Sequence, residues 1–125
     1  MRAQISAEFM MFVGLSLLIS IIFGVISVRQ LHDANVQNEN DAVQDIASKL
    51  QKEIITASYV TDGYTRKFTI PDTLSGVNYS VAIKNSTVVV WSKNSFLELR
   101  IPLVTGNLTK GTNSINKTNG VVYVN

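Results

Sequence analysis

The chain contains no cysteine, which excludes disulfides, thiolate metal sites and cysteine nucleophiles together and leaves any folded part to depend on packing alone. Histidine is nearly absent as well. His32 is the single imidazole, and it stands beside Asp33 just past a long apolar run, so one imidazole with one carboxylate is a poor metal site and reads as an interfacial helix residue. From Tyr59 onward the only carboxylates are Asp62, Asp72 and Glu98, far apart in sequence, and no glycine-rich phosphate loop accompanies them. A nucleophile with its base or a metal cluster lacks its parts, and a carboxylate pair could arise only by convergence of different strands in space; the expectation is a protein with no catalytic residues, no metal and no cofactor. Proline is missing before Pro71, which leaves the first half of the chain free to be helical.

The most informative absence is that of charge between Phe9 and Val28, where twenty successive residues carry none. Twenty helical residues rise about 30 Å, the thickness of a bilayer's hydrocarbon core. A secretory signal peptide would have a shorter apolar stretch followed by small residues for cleavage, whereas here Arg29 and Gln30 follow directly. A buried core helix fails for another reason: a single small head has no layer of partners able to surround a helix apolar on every side. The expectation is one membrane pass followed by one modest head. The head is basic, with Arg66, Lys67, Lys84, Lys93, Arg100, Lys110 and Lys117 outnumbering its carboxylates. Those cations are scattered, only Arg66 and Lys67 being adjacent, and no reader motif is present, so they read as a solubilising surface and no nucleic acid is expected.

In front of the apolar run the sequence is Met1-Arg2-Ala3-Gln4-Ile5-Ser6-Ala7-Glu8-Phe9. A basic residue and a small residue precede Gln4, Ser6 and Glu8 at alternate positions. This segment resembles the Gln-x-Ser-x-Glu signature of archaeal type IV pilin-like proteins with a class III signal peptide, which are cut before the apolar helix. The resemblance rests on roughly the first thirty residues. It implies a leader of residues 1–3, cleavage by a prepilin peptidase between Ala3 and Gln4, and Glu8 as the fifth residue of the mature chain. Phe12 stands where a leucine often completes the pattern. It further implies a filament of identical or related pilin subunits, built by a dedicated assembly machinery from subunits first held in the membrane.

The motif also has a chemistry of its own. A carboxylate one residue outside an apolar span is costly to bury, so Glu8 stays at the lipid interface or finds a positive partner. By the resemblance, that partner is the new amine of Gln4 on a neighbouring subunit, and the pairing sets axial register. The competing reading is that Glu8 simply meets the positive end of its own helix. Farther along, Ser16, Ser20 and Gly24 recur every four residues as a small-residue stripe, flanked by Gly14 and Ser27, a pattern that suits close helix association in lipid.

The helix is expected to continue nearly unbroken from about Ile5 to Ser58, with a bend or fray at the polar patch Gln37 to Asp41. Val43, Ile46, Ala47, Leu50, Ile54 and Ala57 then recur at helical spacing, opposite Asp45, Lys49, Lys52 and Glu53, which makes this half amphipathic. Thr61-Asp62-Gly63 ends it. Candidate strands follow at residues 64–70, 77–84, 87–91, 96–101 and 121–124, with a hairpin tip at Lys84-Asn85-Ser86 and a polar, mobile or sugar-bearing loop from Gly106 to Gly120. Tyr64, Phe68, Tyr79, Trp91, Phe96 and Tyr123 read as core in preference to a carbohydrate platform.

The expected class is therefore α+β, a long N-terminal helix (residues 4–58, apolar over 9–28 and amphipathic over 29–58) packed on a small antiparallel β head (residues 59–125). Four Asn-x-Ser/Thr sequons lie in that head, at Asn78, Asn85, Asn107 and Asn116, and their clustering on one side of the span points to an outward-facing, glycosylated head at the cell surface. The functional expectation is a major or minor pilin serving adhesion; a permanently anchored surface adhesin or sensor is the alternative.

Overall fold

The computed structural model describes residues 2–125, with side chains from Gln4 onward. The leader expected at residues 1–3 thus lies in part outside the described residues: Met1 entirely, Arg2 and Ala3 in their side chains. The architecture is α+β. One helix, α1 (Arg2–Tyr59), precedes eight strands: β1 (Thr65–Ile70), β2 (Thr73–Leu74), β3 (Val77–Lys84), β4 (Thr87–Ser92), β5 (Phe96–Arg100), β6 (Val104–Gly106), β7 (Gly111–Thr118) and β8 (Val121–Val124). The chain divides into two compact units, Met1–Asn35 and Val36–Asn125.

In the N-terminal unit, every described side chain from Gln4 to Asn35 is exposed. The helix is long and apolar enough to cross a membrane. Its apolar side chains make no core of their own; Phe9, Met11, Phe12 and Phe23 are each about two-thirds exposed or more.

The second unit has one core. Val43, Ile46, Ala47, Leu50, Ile54 and Ala57 of α1 meet Phe68, Ile70, Leu74, Tyr79, Val88, Val90, Ile101, Leu108, Ile115, Val122 and Val124. The helical stripe read at three- and four-residue spacing is thus the buried face. Helical hydrogen bonding also runs without interruption through Gln37–Asp41, so the helix does not fray at the polar patch. Glu39 explains it: one turn before Val43, it lies on the buried stripe and is itself buried. Glu53 is a second correction. Three residues after Leu50 and four before Ala57, it borders the stripe instead of the solvent face, and its Oε1 pairs with Arg66 Nη2 at 3.2 Å.

Two four-stranded sheets enclose this core, in the orders β1-β7-β8-β6 and β2-β3-β4-β5. All pairings are antiparallel except β6 with β8, which is parallel. Three of the four hairpin connections are two-residue turns, at Ser75-Gly76, Asn85-Ser86 and Asn119-Gly120, with positive φ at both residues of each; that twist matches the flanking strands.

The expected loop from Gly106 to Gly120 is the largest correction. Its second half is β7, an interior strand paired with β1 on one side and β8 on the other. Periodicity missed it because only Ile115 supplies an apolar inward residue. The neighbouring inward positions are Asn113 and Lys117, so main-chain pairing on both edges, not alternation, makes the strand. Asn113 is 1% exposed; its Oδ1 accepts from Thr109 N at 2.9 Å, and its Nδ2 donates to the carbonyls of Thr109 and Gly111. A turn of polar backbone is thereby satisfied inside the fold.

Candidate functional site

Two surfaces carry the residues singled out from sequence, one in each unit. On the first, Gln4, Ser6 and Glu8 are all exposed. Gln4 and Glu8, four apart, lie along one helix face, with Ser6 turned away from it. Glu8 takes part in no intramolecular ion pair among the described residues.

The small-residue stripe follows. Ser16 Oγ donates to the Val13 carbonyl at 3.0 Å, Ser20 Oγ to that of Ser16 at 2.9 Å, and Ser27 Oγ to that of Phe23 at 2.9 Å. With their hydroxyls satisfied within the helix, these serines present short, effectively apolar steps. A Cβ added at Gly14 or Gly24 would meet nothing within 4 Å. The stripe Ser16, Ser20, Gly24 is thus an open face where another helix backbone can approach closely.

On the head, α1 is tied to the β segment not only by the Glu53–Arg66 pair and by Gln51 Nε2, which donates to the Arg100 carbonyl at 2.7 Å, but by two further interactions that periodicity does not show. Glu39 accepts from the Asn94 side-chain amide at 2.9 Å and from its backbone N–H at 3.4 Å, holding the turn between β4 and β5. The Ser92 hydroxyl, the Asn94 amide and N–H, and the Lys93 charge hold the Glu39 carboxyl below the usual carboxylate range, with burial opposing them. At the other end of the helix, Lys117 Nζ donates to the carbonyls of Ser58 at 2.7 Å and Val60 at 2.9 Å. A cation from β7 thus caps the negative end of α1. The placement of Glu39 one turn ahead of the apolar stripe is the one sequence signal that points to its role.

All four sequon asparagines are exposed. Asn78 lies on the outer face of β3 and Asn85 in the β3–β4 turn. Asn107 precedes buried Leu108, with its Oδ1 accepting from Ile83 N at 3.2 Å and Leu108 N at 2.9 Å. Asn116, expected on a loop, stands on the outer face of β7.

The aromatics divide. Phe68 and Tyr79 are core; the Tyr79 hydroxyl donates to the Pro71 carbonyl, and burial, then the Asp72 charge, pushes its pKa up. Trp91, Phe96 and Tyr123 are not core, at 37%, 65% and 41% exposed. The reason lies in β4, where Val88-Val89-Val90 is apolar on both faces: Val88 and Val90 turn inward, which sends Trp91 outward. Register then lines up Ser80, Trp91 and Phe96 across β3, β4 and β5.

Among the described residues, no three His, Asp or Glu side chains gather as a metal site would require. No protein-family model, curated protein or solved structure matches this chain.

Proposed function

We propose that this chain is a structural subunit, major or minor, of an archaeal type IV pilus-like surface filament that serves adhesion. The observation that carries the reading is the pairing of an apolar, wholly exposed helical segment with a distal half of the same helix that is built into the core of a β head. Such a segment needs either lipid or other apolar helices around it. Identical helices supply the second environment at little solvation cost, because lipid tails and apolar side chains are equally dry. The Ser16, Ser20, Gly24 stripe gives neighbouring helices a face of close approach, and the Gln4, Ser6, Glu8 motif gives them a register.

In this reading a prepilin peptidase cuts between Ala3 and Gln4, and the Glu8 carboxylate of one subunit meets the freed Gln4 amine of the next. An ion pair removed from water must be complete, so a stagger that leaves Glu8 unpaired is strongly disfavoured. Before assembly the helix crosses the cytoplasmic membrane with the head outside, and the exposed sequons Asn78, Asn85, Asn107 and Asn116 suit that side.

The test is Glu8→Ala in cells. Membrane insertion should persist while incorporation into filaments is lost. Normal assembly of this variant would count against the register role given to Glu8, whereas a native N-terminus still at Met1 in filament-free membranes would favour a permanently anchored adhesin or sensor.

A further inference from the structure

The outer face of the second sheet holds an aromatic patch that the described residues leave in part uncovered. Trp91 and Phe96 stand side by side on β4 and β5, and both are exposed. Exposed residues of this size on a strand face call for an explanation, since strands ordinarily turn them toward a core.

Ser80 is directly opposite Trp91 on β3. Asn78, two residues earlier, projects from the same face and is the diagonal neighbour of the indole. Asn78-Tyr79-Ser80 is a sequon, and its middle residue is turned inward with 3% exposure, so the strand fixes Asn78 and Ser80 on the outer face together. Asn78, Tyr79, Ser80, Trp91 and Ser92 line a shallow cleft of about 190 Å³, room for a single sugar ring. Acceptor asparagine, shallow cleft and aromatic wall therefore coincide at one place. The other three sequons do not join all three features: Asn85 borders a cleft with no aromatic wall, Asn107 is held by the Ile83 and Leu108 amides, and Asn116 stands opposite exposed Tyr123 but lines none of the described clefts.

We propose that Asn78 carries an N-linked glycan whose first sugar packs on the Trp91 indole and covers the aromatic patch. Formation of the link needs a lipid-linked oligosaccharide phosphate as donor, supplied with its transferase outside the cell membrane. The Asn78 Nδ2 attacks the anomeric carbon. The carbon–oxygen bond to phosphate breaks as the carbon–nitrogen bond forms, the lipid phosphate leaves with the electron pair, and one amide proton passes to a base of the transferase. The axial C–H groups of a pyranose form an apolar, slightly positive face, which complements the negative face of an indole. The inference rests on the outward placement of the head proposed above.

Trp91 is the single tryptophan, so intrinsic fluorescence reports on this cleft alone. Full-length protein recovered from its own cells in detergent should yield a peptide in which Asn78 is heavier by an oligosaccharide. Ser80→Ala keeps Asn78 but destroys the sequon; its Trp91 emission should shift to the red and its quenching by acrylamide should increase relative to wild type. Asn116→Gln, which removes a sequon on the other sheet, should leave Trp91 emission unchanged.

Sugar on other sequons with Asn78 bare overturns the inference alone, and no sugar on any sequon overturns it and also speaks against the outward head. Modified Asn78 with Trp91 equally quenched in wild type and Ser80→Ala overturns the stacking. Quenching that falls on filament assembly in Ser80→Ala as much as in wild type means that a second copy covers the patch, which also overturns it. Filament incorporation of Ser80→Ala reads the subunit role separately.

Discussion

Glu39 is a buried carboxylate whose partners all belong to one turn, the Ser92–Ser95 connection. Its pKa is depressed below the ordinary 4.5, so in the folded chain the charged form is favoured. The stabilisation is present above the unfolded carboxylate's range and is lost as pH falls through the folded value. Wild type should therefore melt above Glu39→Gln at neutral pH, with the gap closing below about pH 4.5; thermal melts across that range check it. Gly106 has a different necessity. Its φ of +117° is a conformation closed to most residues, and a Cβ there would collide with the Val124 carbonyl, against which it pairs in the parallel β6–β8 ladder. Gly106→Ala should cost about 1–3 kcal/mol, measured by denaturant unfolding, with hydrogen exchange accelerating first along β6.

At the scale of elements, α1 and β7 depend on each other. The helix ends where Lys117 meets the Ser58 and Val60 carbonyls, and the same strand is held between β1 and β8. Lys117→Met keeps the stem but leaves two partly buried carbonyls without their cation, so it should lower the head's stability by about 1–2 kcal/mol. The shift in denaturant midpoint reads it directly. β7 itself was hidden from hydropathy patterning, because its inward positions alternate Asn113, Ile115 and Lys117. The local signal that could have revealed it was Asn119-Gly120, the two-residue hairpin sequence that joins it to β8. The β3–β4 hairpin was legible for the converse reason, since Val81 and Ile83 on one side and Val88 and Val90 on the other frame a short polar tip.

For the whole molecule, the filament reading separates what the two units do. Head stability belongs to the Val36–Asn125 core, and under that proposal association falls to the exposed face of the preceding helical unit. Gly24→Leu adds bulk at the open stripe, where nothing lies within 4 Å. It should weaken helix association by about 1 kcal/mol, read as energy transfer between labelled copies in lipid vesicles. The head's melting temperature should not move, because Gly24 contributes nothing to its core.

The apolar span, the amphipathic stripe from Val43 to Ala57 and the α+β class were determined by the sequence by itself. Each is a periodic or uninterrupted signal, written in consecutive residues and enforced by the cost of leaving apolar surface in water. The tertiary structure alone decided which face Trp91 takes, that Glu39 and Glu53 serve the core edge, and that a polar segment becomes an interior strand. Those outcomes rest on partners distant in sequence. A buried carboxylate, a lysine cap and an indole beside an asparagine acquire meaning only when the chain brings their hydrogen-bonding and packing partners together.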